Sequence, residues 1–291
     1  MEHQVITADE RRLHVVELGV PEGWPVLVHN GTPGSRLLYE PLVRLAERQR
    51  IRMISYDRPG YGGSDRDPGR SVARCTHDVR AIAEALRIER LAVWGISGGG
   101  PHALACAALL PDLVPAVAVL ASPAPWGAEG LDYFAGMGLE NVEDLALTQK
   151  DRTAARAKHE QDRLESLAAT PETIYTTFQT LLSPVDRDAL TPALAQYLFE
   201  VIQLGLAPGA DGWWDDDVAF IEPWGCELDQ TRTPVLLLHG RQDRFVPFAH
   251  GEWLARHIPG VEARLFDDDG HLTLIERHLE GVREWLLERL D

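Results

Sequence analysis

The stretch Trp94-Gly95-Ile96-Ser97-Gly98-Gly99-Gly100 places a G-x-S-x-G pattern between two apolar segments. Residues 91–94 are typical of a short buried strand, and residues 101–110 are typical of an apolar helix that ends at Pro111. A serine on so sharp a turn is held in a strained backbone conformation, and the flanking glycines remove Cβ atoms that would clash there. The stretch therefore predicts a strand–turn–helix unit that exposes the Ser97 hydroxyl, and the alternative is an ordinary glycine-rich turn.

On both sides of this stretch, strand patterns alternate with helix patterns. We predict strands at residues 3–7, 12–18, 25–29, 51–56, 91–94, 114–121, 234–239 and 262–266. We predict helices between them at residues 36–50, 71–87, 101–110, 247–258 and 272–290. The first two strands are expected to be antiparallel, and the alternation of the others predicts parallel strands. The fold class is therefore α/β, with a mostly parallel eight-stranded sheet flanked by helices.

Residues 123–229, which we call the insert, interrupt this alternation for far longer than a crossover between parallel strands requires. We predict helices in the insert at residues 142–169, 171–182, 192–206 and 212–221. The insert is therefore expected to be a helical cap over the carboxyl edge of the sheet, where open α/β sheets bind ligands. Residues 1–122 and 230–291 would form the core domain.

Tryptophan residues lie near both ends of the insert. They are Trp126, Trp213, Trp214 and Trp224. We expect Trp126, Trp213 and Trp214 to contribute to substrate binding, because aromatic walls bind apolar groups without strong directionality. The alternative is that these side chains only pack inside the cap. The insert itself is expected to take no part in building the catalytic group.

The composition restricts the classes of partner. The chain of 291 residues is 45% hydrophobic and 25% charged, as in soluble globular proteins. Its formal net charge of −17 argues against nucleic acid and anionic membranes as partners. Prolines interrupt residues 103–125, the most apolar stretch, so a membrane span is not predicted there. No apolar leader pattern is visible near Met1, and we expect a cytoplasmic location.

The sequence predicts neither a cofactor nor a metal site. Cys75, Cys106 and Cys226 are too few and too scattered for a disulfide framework or a cysteine-rich zinc site. Residues 98–103 fit a dinucleotide fingerprint in part, but residues 117–121 lack the acidic residue that this fingerprint requires about twenty positions later. No phosphate-binding loop and no H-E-x-x-H pattern is present.

Two later loops carry possible partners for Ser97. A serine hydroxyl is a poor nucleophile at neutral pH, so it needs a general base and a group that orients the base. Asp243 follows the strand at 234–239, and His271 follows the strand at 262–266. Parallel strands end at one edge, so both loops are expected near Ser97. The alternatives are a structural turn serine, a loop-capping aspartate and a helix-capping histidine. His29 and His102 are expected to be structural, and Asp267, Asp268 and Asp269 are expected to be solvated charges.

The order Ser97, Asp243, His271 and the motifs around these residues resemble the α/β-hydrolase family, in particular its capped members with a serine nucleophile. The resemblance extends over residues 12–290 and also includes residues 31–34 and residues 57–64, Asp-Arg-Pro-Gly-Tyr-Gly-Gly-Ser. It implies that Ser97 attacks the substrate, His271 transfers the proton and Asp243 orients His271.

The resemblance also implies an oxyanion hole. In the family, one donor is the N–H after the nucleophile, here Gly98, and the other comes from the loop after the third strand, here Thr32. The family pattern in that loop is His-Gly, whereas this chain has His29-Asn30-Gly31. A serine at the elbow argues against the haloalkane- and epoxide-opening branches of the fold, which need an aspartate there.

Three functions are consistent with these residues. The first is a cofactor-independent hydrolase that cleaves a carboxylic ester of a small, uncharged, moderately apolar substrate through an acyl-enzyme. The second uses the same triad for cleavage of amides, N-terminal proline or C–C bonds, for perhydrolysis or for acyl transfer. The third, from another class, is a ligand-binding signalling protein on the same fold. The sequence predicts neither the natural substrate nor the oligomeric state.

Overall fold

The computed structural model describes residues 1–290 and contains one eight-stranded sheet. Its strands are β1 (Glu2–Ile6), β2 (Arg12–Gly19), β3 (Trp24–His29), β4 (Ile51–Tyr56), β5 (Ala92–Ile96), β6 (Val117–Leu120), β7 (Val235–Gly240) and β8 (Glu262–Phe266). The spatial order is β1-β2-β4-β3-β5-β6-β7-β8. β2 is antiparallel to β1 and β4, and all other neighbours are parallel. The predicted fold class is confirmed.

The helices outside the insert cover both faces of the sheet. They are α1 (Glu40–Arg48), α2 (Cys75–Ala85), α3 (Gly99–Leu109), α10 (Phe248–His257) and α11 (Thr273–Leu287). Side chains along β3 alternate between two apolar cores: Leu27 joins the core with α2, α3 and α10, whereas Val26 and Val28 join the core with α1 and α11. This burial on both faces explains the continuous apolar run of the central strands.

The insert is helical in the structure. Its helices are α4 (Leu139–Lys150), α5 (Arg152–Ala168), α6 (Ile174–Thr177), α7 (Pro184–Ala189), α8 (Pro192–Leu206) and α9 (Asp211–Ile221). The prediction of one helix over 142–169 is wrong, because the Asp151 carboxylate accepts hydrogen bonds from the N–H groups of Thr153 and Ala154 and begins a new helix there. The prediction of a helix over 171–182 is also too long, and α7 was not predicted.

Among the residues that the structure describes, no helix combines the length and the apolar character needed to cross a membrane.

Candidate active site

Ser97 lies on the turn between β5 and α3, in a conformation that side chains rarely adopt. Its φ angle is 52°, in the left-handed region. The Ser97 N–H donates to the Leu120 carbonyl of β6 at 2.9 Å, and the Ser97 carbonyl accepts from the Gly100 N–H at 2.8 Å. These bonds hold the strained residue at the end of the sheet, as the G-x-S-x-G pattern predicts.

The glycines beside Ser97 permit two close approaches by the loop after β3. A Cβ on Gly99 would lie 2.0 Å from the His29 carbonyl oxygen, and a Cβ on Gly98 would lie 2.3 Å from Thr32 Oγ1. The loop after β3 therefore packs directly against the serine turn, and larger residues at either position would separate the two segments.

Asp243 and His271 form a hydrogen-bonded pair. His271 Nδ1 donates to Asp243 Oδ2 at 2.7 Å. The other oxygen, Oδ1, accepts from the N–H groups of Phe245 and Val246 at 2.8 and 2.9 Å. Both oxygens of the carboxylate are thus occupied, and its orientation holds the imidazole with Nδ1 as donor and Nε2 free of this contact.

The surroundings of His271 favour its protonated form. Burial alone would lower the pKa of His271, but the negative charge of Asp243 and its hydrogen bond outweigh burial, with a further contribution from Asp186, so the pKa lies above the ordinary 6.5. The ring is stacked on Phe245, with centroids 4.5 Å apart and planes at 21°. This arrangement would stabilise an imidazolium ion formed during a proton transfer.

Ser97 and His271 line the same cavity, which has a volume of about 490 Å³. The cavity is bounded by the carboxyl edge of the sheet and by the insert. Its apolar lining includes Ile96, Tyr133, Leu145, Phe178, Leu181, Tyr197, Leu198, Val201, Ile202, Trp213, Phe220, Phe245, Leu272 and Ile275. A mainly apolar cleft with a few convergent polar groups is typical of sites for small molecules.

Two backbone N–H groups beside Ser97 have no acceptor among residues 1–290. They belong to Gly98 and Thr32. A Cβ built on Gly31 would lie 3.5 Å from the Ser97 Cβ, so the Gly31–Thr32 peptide borders the serine directly. Free donors at this place could bind a negatively charged oxygen that develops on an atom attacked by Ser97.

The tryptophans occupy different environments. Trp213 lines the cavity, whereas Trp126 and Trp214 are not among the described residues that line it. Trp126 packs on Tyr133 and Phe134, and the Trp214 ring lies 5.8 Å from that of His159. Trp224 is buried in the core with α2 and α3. Of the three residues expected to bind substrate, only Trp213 has a position that supports this role directly.

Sequence reasoning missed Asp186 of α7. Its carboxylate accepts hydrogen bonds from the N–H groups of His271 at 3.1 Å and Leu272 at 2.7 Å. The expectation that the insert takes no part in building the candidate triad is therefore wrong. A signal was available: Ser183-Pro184-x-Asp186 combines an N-cap serine, a proline at the first helical position and an acidic residue two positions later.

A second missed group links the insert to the loops after β3 and β4. Asp216 of α9 is fully buried and accepts hydrogen bonds from Thr32, Arg58, Tyr61 and Arg70. The sequence signal is the run Asp215-Asp216-Asp217 inside an otherwise apolar helix, since buried aspartates require partners.

One group of described side chains has the spacing of a metal site. The ligand atoms of His29, Cys75 and Cys106 lie within 4.8 Å of one another, in the core behind the serine turn. Metal binding requires thiolates, but burial raises the pKa of the Cys75 thiol well above its ordinary value. The Cys75 thiol instead donates to the His102 carbonyl at 3.4 Å. The residues present therefore fit a packed core better than a metal centre.

The chain is similar to known hydrolases. It is 26% identical to a 2-hydroxy-6-oxononadienedioate/2-hydroxy-6-oxononatrienedioate hydrolase of Paraburkholderia phymatum, over 97% of this chain and 91% of that protein. It is 27% identical to a pimeloyl-(acyl-carrier protein) methyl ester esterase of Nitrosomonas europaea, over 78% of this chain and 81% of that protein. A thermophilic esterase from Thermogutta terrifontis, solved with malate bound, shares the fold with a TM-score of 0.72, 20% identity and full coverage (100%) of both chains.

The family model for the alpha/beta hydrolase fold matches residues 25–278, which include the serine turn, the loops of Thr32 and Arg58, Asp243 and His271. The match agrees with the topology of the sheet and with the position of each candidate residue at its carboxyl edge. This chain therefore belongs to the α/β hydrolase fold family and is a hydrolase.

Proposed function

We propose that the protein hydrolyses a carboxylic ester of a small, uncharged, moderately apolar substrate through an acyl-enzyme, without a cofactor. Residues 1–122 and 230–291 form the catalytic domain, and the insert caps it. The observation that carries the proposal is the hydrogen-bonded Asp243–His271 pair at the same cavity as a serine with a φ angle of 52°.

The proposed reaction has two steps. In the first step, Ser97 Oγ attacks the ester carbonyl carbon, and His271 Nε2 accepts the hydroxyl proton. The N–H groups of Gly98 and Thr32 stabilise the oxyanion of the tetrahedral intermediate. The C–O bond then breaks, His271 returns the proton to the departing alcohol, and the acyl group remains on Ser97. In the second step, water attacks the acyl-enzyme with the same proton transfers and releases the acid.

The charge of the cavity lining argues against an anionic substrate. Six carboxylate side chains border the cavity: Glu140, Glu143, Asp144, Asp162, Glu165 and Asp217. The only lysine or arginine among the described lining residues is Lys158, and its ammonium group already donates to Asp144 at 2.7 Å and Asp162 at 2.6 Å. A substrate carboxylate would therefore meet repulsion in the cavity without a free cation to bind it.

This charge distribution favours a neutral ester over the dienedioate substrate for which the Paraburkholderia relative is named. A dienedioate carries two carboxylates, and the described lining offers no free cation for either of them. The Nitrosomonas relative is named for hydrolysis of a methyl ester, and a neutral ester is compatible with the apolar part of the lining.

A matched substrate panel tests the proposal. We expect p-nitrophenyl butyrate to be hydrolysed, with a burst of p-nitrophenol when deacylation is slow. The anionic half-ester mono-p-nitrophenyl succinate, of nearly equal size, should have a lower kcat/KM. A 2-hydroxy-6-oxo-dienedioate should be turned over least. Preferred turnover of the dienedioate would favour C–C cleavage, and absence of turnover of all three compounds would favour a binding protein.

A further inference from the structure

We propose that Arg58 and Asp216 are positioning residues for the oxyanion hole, so that helix α9 of the insert helps to build the catalytic machinery. This inference rests on the proposed function, since it assumes that the Thr32 N–H is one of the two oxyanion donors.

Asp216 is the centre of a buried hydrogen-bonded cluster. Its Oδ2 accepts from Arg58 Nη2 at 2.7 Å, Thr32 Oγ1 at 2.8 Å and the Tyr61 hydroxyl at 2.9 Å. Its Oδ1 accepts from Arg70 Nη1 at 2.7 Å. Burial alone would raise the pKa of Asp216, but the two guanidinium groups hold the pKa well below its ordinary value. The carboxylate is therefore ionised and acts as a fixed acceptor.

Arg58 transfers this fixed position to the loop after β3. Its Nη1 donates to the Asn30 carbonyl at 2.5 Å, and its Nη2 donates to the Gly31 carbonyl at 3.1 Å and to Thr32 Oγ1 at 2.8 Å. Three successive residues of the loop are thus held by one planar guanidinium group, which is itself held by Asp216.

The bond to the Gly31 carbonyl determines where the Thr32 N–H points. The carbonyl of Gly31 and the N–H of Thr32 belong to one planar trans peptide, in which the two groups point in opposite directions. Because the carbonyl faces Arg58 in the interior, the N–H faces away from Arg58. It has no acceptor among the described residues, and Gly31, Thr32 and Ser97 all line the cavity.

A neighbouring ion pair distinguishes positioning from simple attachment of the insert. Asp215, also on α9 and buried, accepts from Arg66 Nε at 2.7 Å and Nη2 at 2.9 Å. This pair also joins α9 to the loop after β4, but neither residue contacts the loop of Asn30, Gly31 and Thr32 in the described hydrogen bonds. Asp215→Asn is therefore a matched control: it removes a buried charge between the same two segments and leaves the oxyanion loop untouched.

The experiment compares Asp216→Asn with Asp215→Asn on p-nitrophenyl butyrate and on a trifluoromethyl ketone, whose hemiketal oxyanion on Ser97 would occupy the hole. Losing one oxyanion donor typically lowers kcat by roughly 10²–10³-fold, and a misdirected donor should cost ~10–100-fold. For Asp216→Asn we expect kcat to fall and the ketone Ki to rise by the same factor, with KM nearly unchanged. Asp215→Asn should keep kcat and Ki, even if its melting temperature falls as much.

Should Asp216→Asn fail to fold, Arg58→Lys provides the same test. It keeps a positive charge beside Asp216, but a single ammonium group cannot hold the carboxylate and the loop carbonyls together. Equal kcat and Ki values in the Asp216 and Asp215 variants, or a change in KM alone, would refute the positioning role. A wild-type protein that neither hydrolyses esters nor binds the ketone would instead refute the proposed function.

Discussion

The carboxyl edge of the sheet and the insert reach the same cavity in different ways. Ser97, Asp243 and His271 each follow a strand closely, and the hydrogen bond between Asp243 and His271 joins residues only 28 positions apart. Asp186 and Asp216 lie on insert helices and contact the edge loops across 85 and 184 positions. We propose that the edge supplies the reacting groups and that the insert holds the loops that carry them.

The largest expected effect is the loss of kcat on substitution of Ser97, which lies at the edge. Ser97→Ala should lower kcat by ~10⁴-fold or more, because it removes the proposed nucleophile, while the fold and melting temperature stay nearly unchanged. Steady-state hydrolysis of p-nitrophenyl butyrate and a thermal melt measure both quantities. A variant that retains most of its esterase activity would contradict the role of the edge.

A smaller effect is expected at Asp186 in the insert. Asp186→Asn should lower kcat roughly tenfold and the free energy of unfolding by ~1–3 kcal/mol, because an amide cannot accept all the bonds from the His271 loop. Asp188→Asn is the matched control, since Asp188 is exposed on the same helix. Equal kinetics for the two variants would show that the insert does not position His271.

Trp213 tests whether the insert also binds substrate. Trp213→Ala should raise KM roughly tenfold, equivalent to ~1.4 kcal/mol of lost binding, with a smaller change in kcat, because the side chain lines the cavity and its loss would remove uniform binding. Trp214→Ala, next to it on α9 but not among the lining residues, should change KM less. If both variants kept the wild-type KM and the wild-type preference for acyl chain length, these two tryptophans would only pack inside the insert.

The smallest expected effect is a shift in the pH dependence of activity, and it concerns His271 at the carboxyl edge of the sheet. Because the pKa of His271 is raised above the ordinary 6.5, the ring stays protonated to a higher pH. It can therefore act as a general base only at a pH above 6.5. We expect kcat/KM to rise with pH with a midpoint above 6.5. In Asp243→Asn the midpoint should fall, because the negative charge that raises the pKa of His271 is removed. A wild-type midpoint below 6.5 would contradict the influence of Asp243.

The same comparison explains what the sequence predicts. Apolar strands, the glycine-flanked Ser97 and the loops after β7 and β8 are encoded by neighbouring residues, so local patterns predict the sheet and the candidate triad. Asp216 and Arg58 lie 158 positions apart in the chain, and no periodicity of the sequence predicts such a pairing. The helix start after Asp151 and the capped start of α7 are encoded locally. Each depends on a single polar capping residue, and a search for hydrophobic periodicity does not detect such a residue.

The central claim, that Ser97 is the activated nucleophile, is tested most directly by intact-mass and peptide mass spectrometry after treatment with an alkyl fluorophosphonate. In this reaction the Ser97 oxygen would bond to phosphorus, fluoride would leave, and His271 would accept the proton. The account predicts one adduct per chain, on the peptide that contains Ser97, and none on Ser97→Ala. An unlabelled wild type that still hydrolyses esters, or equal labelling of Ser97→Ala, would contradict it.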